Sequence, residues 1–132
     1  MKVLFAFILG SVGAFKIFGS RSLQKSSSTL SATSEAISAI INSSISEHSV
    51  MIFSKSYCPF CTKAKNVFES LNIKYGSMEL DKISDGAEIQ SELLSMTGQR
   101  TVPSVWINTK HIGGCDDTLK LYSEGKIQEM VK

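Results

Sequence analysis

Cys58, Pro59, Phe60 and Cys61 form a C-x-x-C directly behind an apolar run, Val50-Met51-Ile52-Phe53, and an amphipathic helix pattern follows at once. Two thiols at this spacing, where a helix begins, suit thiol–disulfide exchange. The nucleophile of that reaction is a thiolate, and a free Cys thiol titrates near pKa ~8.5. The first turn of a helix offers unpaired N–H groups and the positive end of the macrodipole, which both favour Cys58 as S⁻. Lys55 adds a nearby positive charge. Pro59 suits the first helical position, where its missing N–H is no loss. Cys61 falls on the same side of the turn, placed to attack a mixed disulfide formed at Cys58. Cys58 therefore reads as the nucleophile and Cys61 as the resolving thiol.

The competing readings of such a pair are half a zinc site or a structural disulfide. A Cys₄ or Cys₂His₂ site needs a second ligand pair. Beyond the motif the chain has Cys115, His48 and His111, none at a second-pair spacing. A disulfide framework wants an even and denser cysteine count. Redox chemistry is favoured, and no metal is expected.

Periodicity supplies the elements that must hold the pair. A first helix spans about residues 31–46, with Ile37, Ile40, Ile41 and Ile45 at helical spacing. Residues 50–54 form a continuous apolar strand of the kind buried on both faces. The next helix starts at the C-x-x-C and runs through Ala64, Val67, Phe68 and Leu71, turning Lys63, Lys65, Asn66 and Glu69 to water. Residues 73–80 read as a second strand. Asp85-Gly86 precedes a helix through Ile89, Leu93 and Leu94 that closes near Gly98. Residues 105–107 and 110–112 are strands joined by an Asn108-Thr109 turn. Gly113-Gly114 breaks the pattern. Asp116 or Asp117 is expected to cap a last long helix with Leu119, Leu121 and Tyr122, and a final turn carries Ile127 and Val131. The first two strands should be parallel through a right-handed crossover, and the hairpin adds antiparallel strands. The class is α/β: a mixed four-stranded β-sheet flanked by helices on both faces.

The chain's 132 residues allow one ordinary domain. Charge is unevenly spread. Residues 1–34 carry Lys2, Lys16, Arg21 and Lys25 and no acid, whereas residues 35–132 hold 10 basic and 12 acidic residues. The folded part thus has no basic surplus of the kind that marks a nucleic-acid partner. Lys2, an apolar run from Val3 to Leu9 and the small residues behind it resemble a signal peptide. The run is too short for a span of ~20 residues, so no stable membrane insertion is expected once it is removed. The acid-free, Ser- and Thr-rich stretch from Ser20 to Ser34 resembles a transit peptide. Residues 1–30 are expected to be a targeting leader, disordered or cleaved, with residues 31–132 as the working domain. The joined cues favour a plastid; a secretory route and a mitochondrion are the alternatives. A monomer is expected.

Thr101-Val102-Pro103 precedes the third strand, where Pro has no N–H for the ladder. Spacing leaves two readings open. A cis Val102–Pro103 bond would present the Val102 peptide to an extended thiol peptide; a trans bond would make a plain turn.

Lys55-Ser56-Tyr57-Cys58-Pro59-Phe60-Cys61, Gly98-Gln99-Arg100-Thr101-Val102-Pro103 and Gly113-Gly114-Cys115-Asp116-Asp117 together resemble the glutaredoxins of the dithiol C-P-[YF]-C class. The three motifs occur in the family's order and spacing, within a resemblance covering roughly residues 35–132. It implies a thioredoxin fold, with glutathione as reducing co-substrate and no bound cofactor. Glutathionylated or disulfide-containing proteins are the implied partners. It also implies that Cys58 takes up glutathione and that the Val102 backbone pairs with the tripeptide's cysteine beside a cis Pro103. Lys55, with Gln99 or Arg100, would meet the glycine carboxylate. The Cys115–Asp116 backbone and the Asp116 side chain would hold the γ-glutamyl end, with Tyr57, Phe60, Thr101, Gly114 and Asp117 completing the surround. Two departures stand out. Phe60 replaces the commoner Tyr, losing a hydroxyl while keeping an aromatic wall. Cys115 replaces the commoner Ser, Asn or Tyr; it reads as a small buried residue, with a redox role beside the glutathione site as the alternative. Pro59 argues against the alternative of an iron–sulfur carrier, because cluster-binding relatives usually have Gly or Ser there. Thioredoxin is disfavoured too, since no Trp precedes Cys58.

Overall fold

A computed structural model describes residues 33–132. The chain runs α1 (Ser34–Glu47), β1 (Val50–Ser54), α2 (Pro59–Ser70), β2 (Gly76–Glu79), a 3₁₀ turn (Leu80–Lys82), α3 (Gly86–Thr97), β3 (Ser104–Ile107), β4 (Lys110–Gly113), α4 (Cys115–Ser123) and α5 (Ile127–Val131). The sheet order is β2-β1-β3-β4. β1 lies parallel to β2, antiparallel to β3, and β3 antiparallel to β4. This is the expected mixed four-stranded sheet of a thioredoxin fold.

β1 is apolar throughout because it is the inner strand between two cores. Met51 and Phe53 join Ile37, Ile41 and Ile45 of α1, Ile89 and Leu93 of α3, and Trp106 on one face. Val50 and Ile52 join Ala64, Val67 and Phe68 of α2, with Val105, Ile107 and Ile127, on the other. Each fully buried large apolar side chain contributes about 1.5–3 kcal/mol of hydrophobic free energy. The double-sided packing therefore anchors the strand whose end carries the C-x-x-C.

Several boundaries differ from expectation. α1 begins at Ser34, because Thr33 caps it by accepting the Ala36 N–H at 3.2 Å. The second strand is shorter than residues 73–80. Asn72 takes a left-handed φ of 58° and delays entry, and Leu80 already belongs to the 3₁₀ turn. α4 is capped at Gly114, not at Asp116 or Asp117. The Asp117 carboxylate sits at the third helical position and reaches back to accept the Gly114 N–H at 3.1 Å. Lys65 does not face open water but ion-pairs with Glu79 of β2 at 2.5 Å. The Asn108-Thr109 turn is as expected, with positive φ at both residues as two-residue hairpins require. No helix among the described residues is long and apolar enough to cross a membrane. The expected leader over residues 1–30 lies outside the described residues.

Candidate functional site

At the end of β1 the chain makes one tight turn, closed by the Cys58 N–H donating to the Lys55 carbonyl at 3.0 Å. The turn delivers Cys58 to the N-cap of α2, with Pro59 at the first helical position. There the Cys58 sulfur accepts the Cys61 N–H at 3.3 Å, one of the donors a helix start leaves unpaired. Cys58 is partly exposed. Cys61 is 1 % exposed, and burial, with the Cys58 sulfur adding to it, pushes its thiol up to about 12. All three cysteines are free thiols. One sulfur thus meets solvent with a backbone donor behind it, and the other waits, protonated, beneath.

The facing wall is the 99–103 loop. The Val102–Pro103 bond is cis, which answers the question that spacing left open. The Cys58 sulfur lies 3.9 Å from the Val102 carbonyl oxygen. Gln99 Nε2 donates to the Thr101 and Pro103 carbonyls, both at 2.8 Å. Gln90 Nε2 donates to the Arg100 carbonyl at 2.9 Å. With both amide hydrogens spent on its own loop, Gln99 shapes the wall and offers no N–H to a carboxylate.

The third wall is the start of α4. Thr118 donates its N–H and its hydroxyl to the Gly114 carbonyl, at 3.1 and 2.9 Å, locking the first turn. Gly113 has φ +131°, and a Cβ there would run into the Asp117 carboxylate. Glycine is therefore required at this corner.

These walls enclose a groove of about 490 Å³ lined by Phe60, Gln99, Thr101, Val102, Pro103, Gly114, Cys115, Asp116 and Asp117. Most of the residues expected around a ligand thus meet in one place. Cys58, Cys61, Lys55, Tyr57 and Arg100 are not in its lining. Lys55 is half-buried at the turn, Tyr57 projects 72 % exposed, and Arg100 is exposed with only its carbonyl tied down. Lys63 lies 5.6 Å over the Phe60 ring, a cation–π contact at the groove mouth. Cys115 is 6 % exposed. Burial, then the Asp116 carboxylate, push its thiol up, against an opposing pull from Lys63. Among the described residues no group of three or more His, Cys, Asp or Glu side chains converges as a metal site.

Sequence reasoning missed an acidic pair beside the turn. Glu79 accepts from the buried Ser54 hydroxyl at 2.6 Å and from Lys65. Asp81 accepts the Ser56 N–H at 2.8 Å and the Ser56 hydroxyl at 2.5 Å. The two serine contacts each cross 25 residues to the segment leading into Cys58. A two-residue spacing of acids at a strand end was the only trace of it in the sequence.

Comparison with known proteins gives consistent results. A glutaredoxin family model matches residues 50–112. Rice Glutaredoxin-C6 is 60 % identical over 78 residues, 59 % of this chain and 70 % of the relative. Rice chloroplastic Glutaredoxin-C4 is 53 % identical over 78 residues, 59 % of each chain. The crystal structure of a buckwheat glutaredoxin–glutathione complex superposes with a TM-score of 0.73 at 40 % identity, over 74 % of this chain and 89 % of that one.

Proposed function

The chain belongs to the glutaredoxin family and is a thiol–disulfide oxidoreductase; from that premise we propose that it reduces glutathionylated proteins and protein disulfides through the Cys58 thiolate, with glutathione as reductant. The observation that carries this reading is the Cys58 sulfur itself, held by the Cys61 N–H at 3.3 Å and facing the Val102 carbonyl at 3.9 Å.

The chemistry runs as two exchanges. The Cys58 thiolate attacks the glutathionyl sulfur of a mixed disulfide, forming a Cys58–glutathione disulfide and releasing the protein as a thiolate. A second glutathione thiolate attacks the glutathionyl sulfur of that adduct, leaving as glutathione disulfide and restoring Cys58. With a protein disulfide, Cys58 forms a mixed disulfide with the substrate. Cys61 then gives up its proton, attacks the Cys58 sulfur and expels the second protein thiolate. Two glutathione molecules reduce the resulting Cys58–Cys61 disulfide. Glutathione is a co-substrate here, not a resident cofactor.

The groove suits that tripeptide, which has two carboxylates and one ammonium. The nine-residue α4 begins at the groove and favours a carboxylate. Asp116 answers the ammonium, and the Val102 peptide pairs with the cysteine. Lys55 attracts the glycine carboxylate from the edge, a role that falls to it and not to Gln99. The buckwheat complex supports glutathione as the ligand.

Cys58→Ser should abolish deglutathionylation, while Cys61→Ser should retain much of it, because a second glutathione replaces the resolving thiol. Equal loss in both variants would overturn the assignment. Residues 1–30 serve as a leader, with a plastid as destination; the chloroplastic rice relative supports this. A fluorescent fusion of the full chain, followed in its own cell type, tests it against the secretory route and the mitochondrion.

A further inference from the structure

The turn that presents Cys58 has little to hold it. Ser56 and Tyr57 are exposed, and its own closure is one backbone hydrogen bond, Cys58 N–H to Lys55 carbonyl. The ladder between β1 and β2 ends at the pair Ser54 and Glu79. Two residues further along both strands, at Ser56 and Asp81, the pairing is continued by a side chain. The Asp81 carboxylate takes the Ser56 N–H on one oxygen and the Ser56 hydroxyl on the other, at 2.8 and 2.5 Å. A carboxylate with two acceptor oxygens is suited to that double grip, and the two Ser56 bonds hold its carboxyl below the usual range, so the gripping form is the ionised one.

We propose that Asp81 is a positioning residue for the nucleophile: by clamping Ser56 from across the sheet edge it keeps the Lys55–Cys58 turn closed and the Cys58 sulfur on the Cys61 N–H. The inference rests on Cys58 being the nucleophile. It goes beyond that reading by assigning the thiolate's geometry to a residue outside the groove.

Charge and position have opposite signs here, which makes the proposal testable. A carboxylate near a thiolate disfavours it, so a purely electrostatic Asp81 would, on removal, lower the Cys58 pKa. A positioning Asp81 would, on removal, loosen the sulfur from its N–H donor and raise that pKa. The experiment is the pH profile of Cys58 alkylation by iodoacetamide in the reduced full chain. The label is located by mass spectrometry, at an ionic strength of about 0.5 M where exposed charges are screened. Asp81→Ala should raise the Cys58 pKa by about half a unit, a roughly threefold loss of thiolate below the pKa. Asp81→Asn keeps an oxygen for the Ser56 N–H and an amide for its hydroxyl, and should restore most of the difference. Ser56→Ala changes no charge and should shift the profile in the same direction as Asp81→Ala; it decides the matter if that variant fails to fold. A Cys58 pKa that falls or stays put in Asp81→Ala, or in Ser56→Ala where that variant decides, would overturn the proposal, whatever happens to the melting temperature. An unsubstituted chain in which Cys58 is not the fastest-labelled thiol would overturn the assignment of the nucleophile instead, so the two failures are distinguishable.

Discussion

Cys61 is 1 % exposed, and its thiol is pushed up to about 12, chiefly through burial. A group whose folded pKa is raised favours the fold while it is protonated. Its contribution is complete below pH 9 and disappears as pH rises through 12, where the unfolded chain ionises first. Urea unfolding of the reduced protein should therefore lose stability more steeply above pH 9 than Cys61→Ala does; parallel slopes would show that Cys61 is not the group responsible. Cys115 is held protonated for a related reason. Burial leads, Asp116 adds to it, and Asp117 is turned to the Gly114 N–H instead. Of the two neighbouring carboxylates only Asp116 opposes a Cys115 thiolate, and Lys63 is its counterweight. Limiting alkylation at pH 7 should label Cys58 well before Cys115. Labelling of Cys115 first or equally fast would reverse that ranking.

At the scale of elements, two helix starts set the groove and its support. α4 depends on the Asp117 carboxylate returning to its own cap, and Asp117→Ala should cost about 1 kcal/mol in urea denaturation. α3 begins at Gly86, where a Cβ would collide with the Leu80 carbonyl oxygen of the 3₁₀ turn. That oxygen is backbone and has no rotamer to escape into. Gly86→Ala should therefore cost about 2 kcal/mol or more. Gly98 closes the same helix with φ +79° and open space around its Cα. Gly98→Ala should cost only the left-handed backbone term, about 1 kcal/mol. A Gly98 effect as large as that at Gly86 would mean that close packing is not what sets the cost. The 3₁₀ turn also carries Asp81, so a shift of the turn at Gly86 should be transmitted to Ser56.

For the whole molecule, α1 is an integral layer. Ile37, Ile41 and Ile45 are 2 %, 0 % and 6 % exposed against the sheet. Removing residues 1–32 spares the Thr33 cap and should leave the melting temperature of the purified domain nearly unchanged. Removing residues 1–47 strips three large aliphatic side chains from the core, each contributing about 1.5–3 kcal/mol, and should abolish cooperative melting followed by circular dichroism. A large fall after the shorter deletion would mean that the leader belongs to the fold.

The order of elements, the inner strand β1 and the dithiol at a helix start were legible because they are written locally. Strand and helix periods, Pro59 at the first helical position and two thiols three residues apart need only neighbours along the chain. The three separated motifs also marked the walls of the groove before any geometry was known. What the chain did not reveal depends on segments that meet only after the sheet has formed. The Asp81 clamp on Ser56 spans 25 residues and the approach of Val102 to Cys58 spans 44. The resemblance offered Gln99 as a contact to the glycine carboxylate; the fold turns its side-chain amide onto its own loop. Cys115 was legible as buried, but the division of labour between Asp116 and Asp117 was not, because it follows from which oxygen reaches the Gly114 N–H. Side-chain periodicity specifies which face of an element is covered. The register of β1 on β2, fixed by double-sided packing, decides which polar groups across the sheet edge come within hydrogen-bond reach.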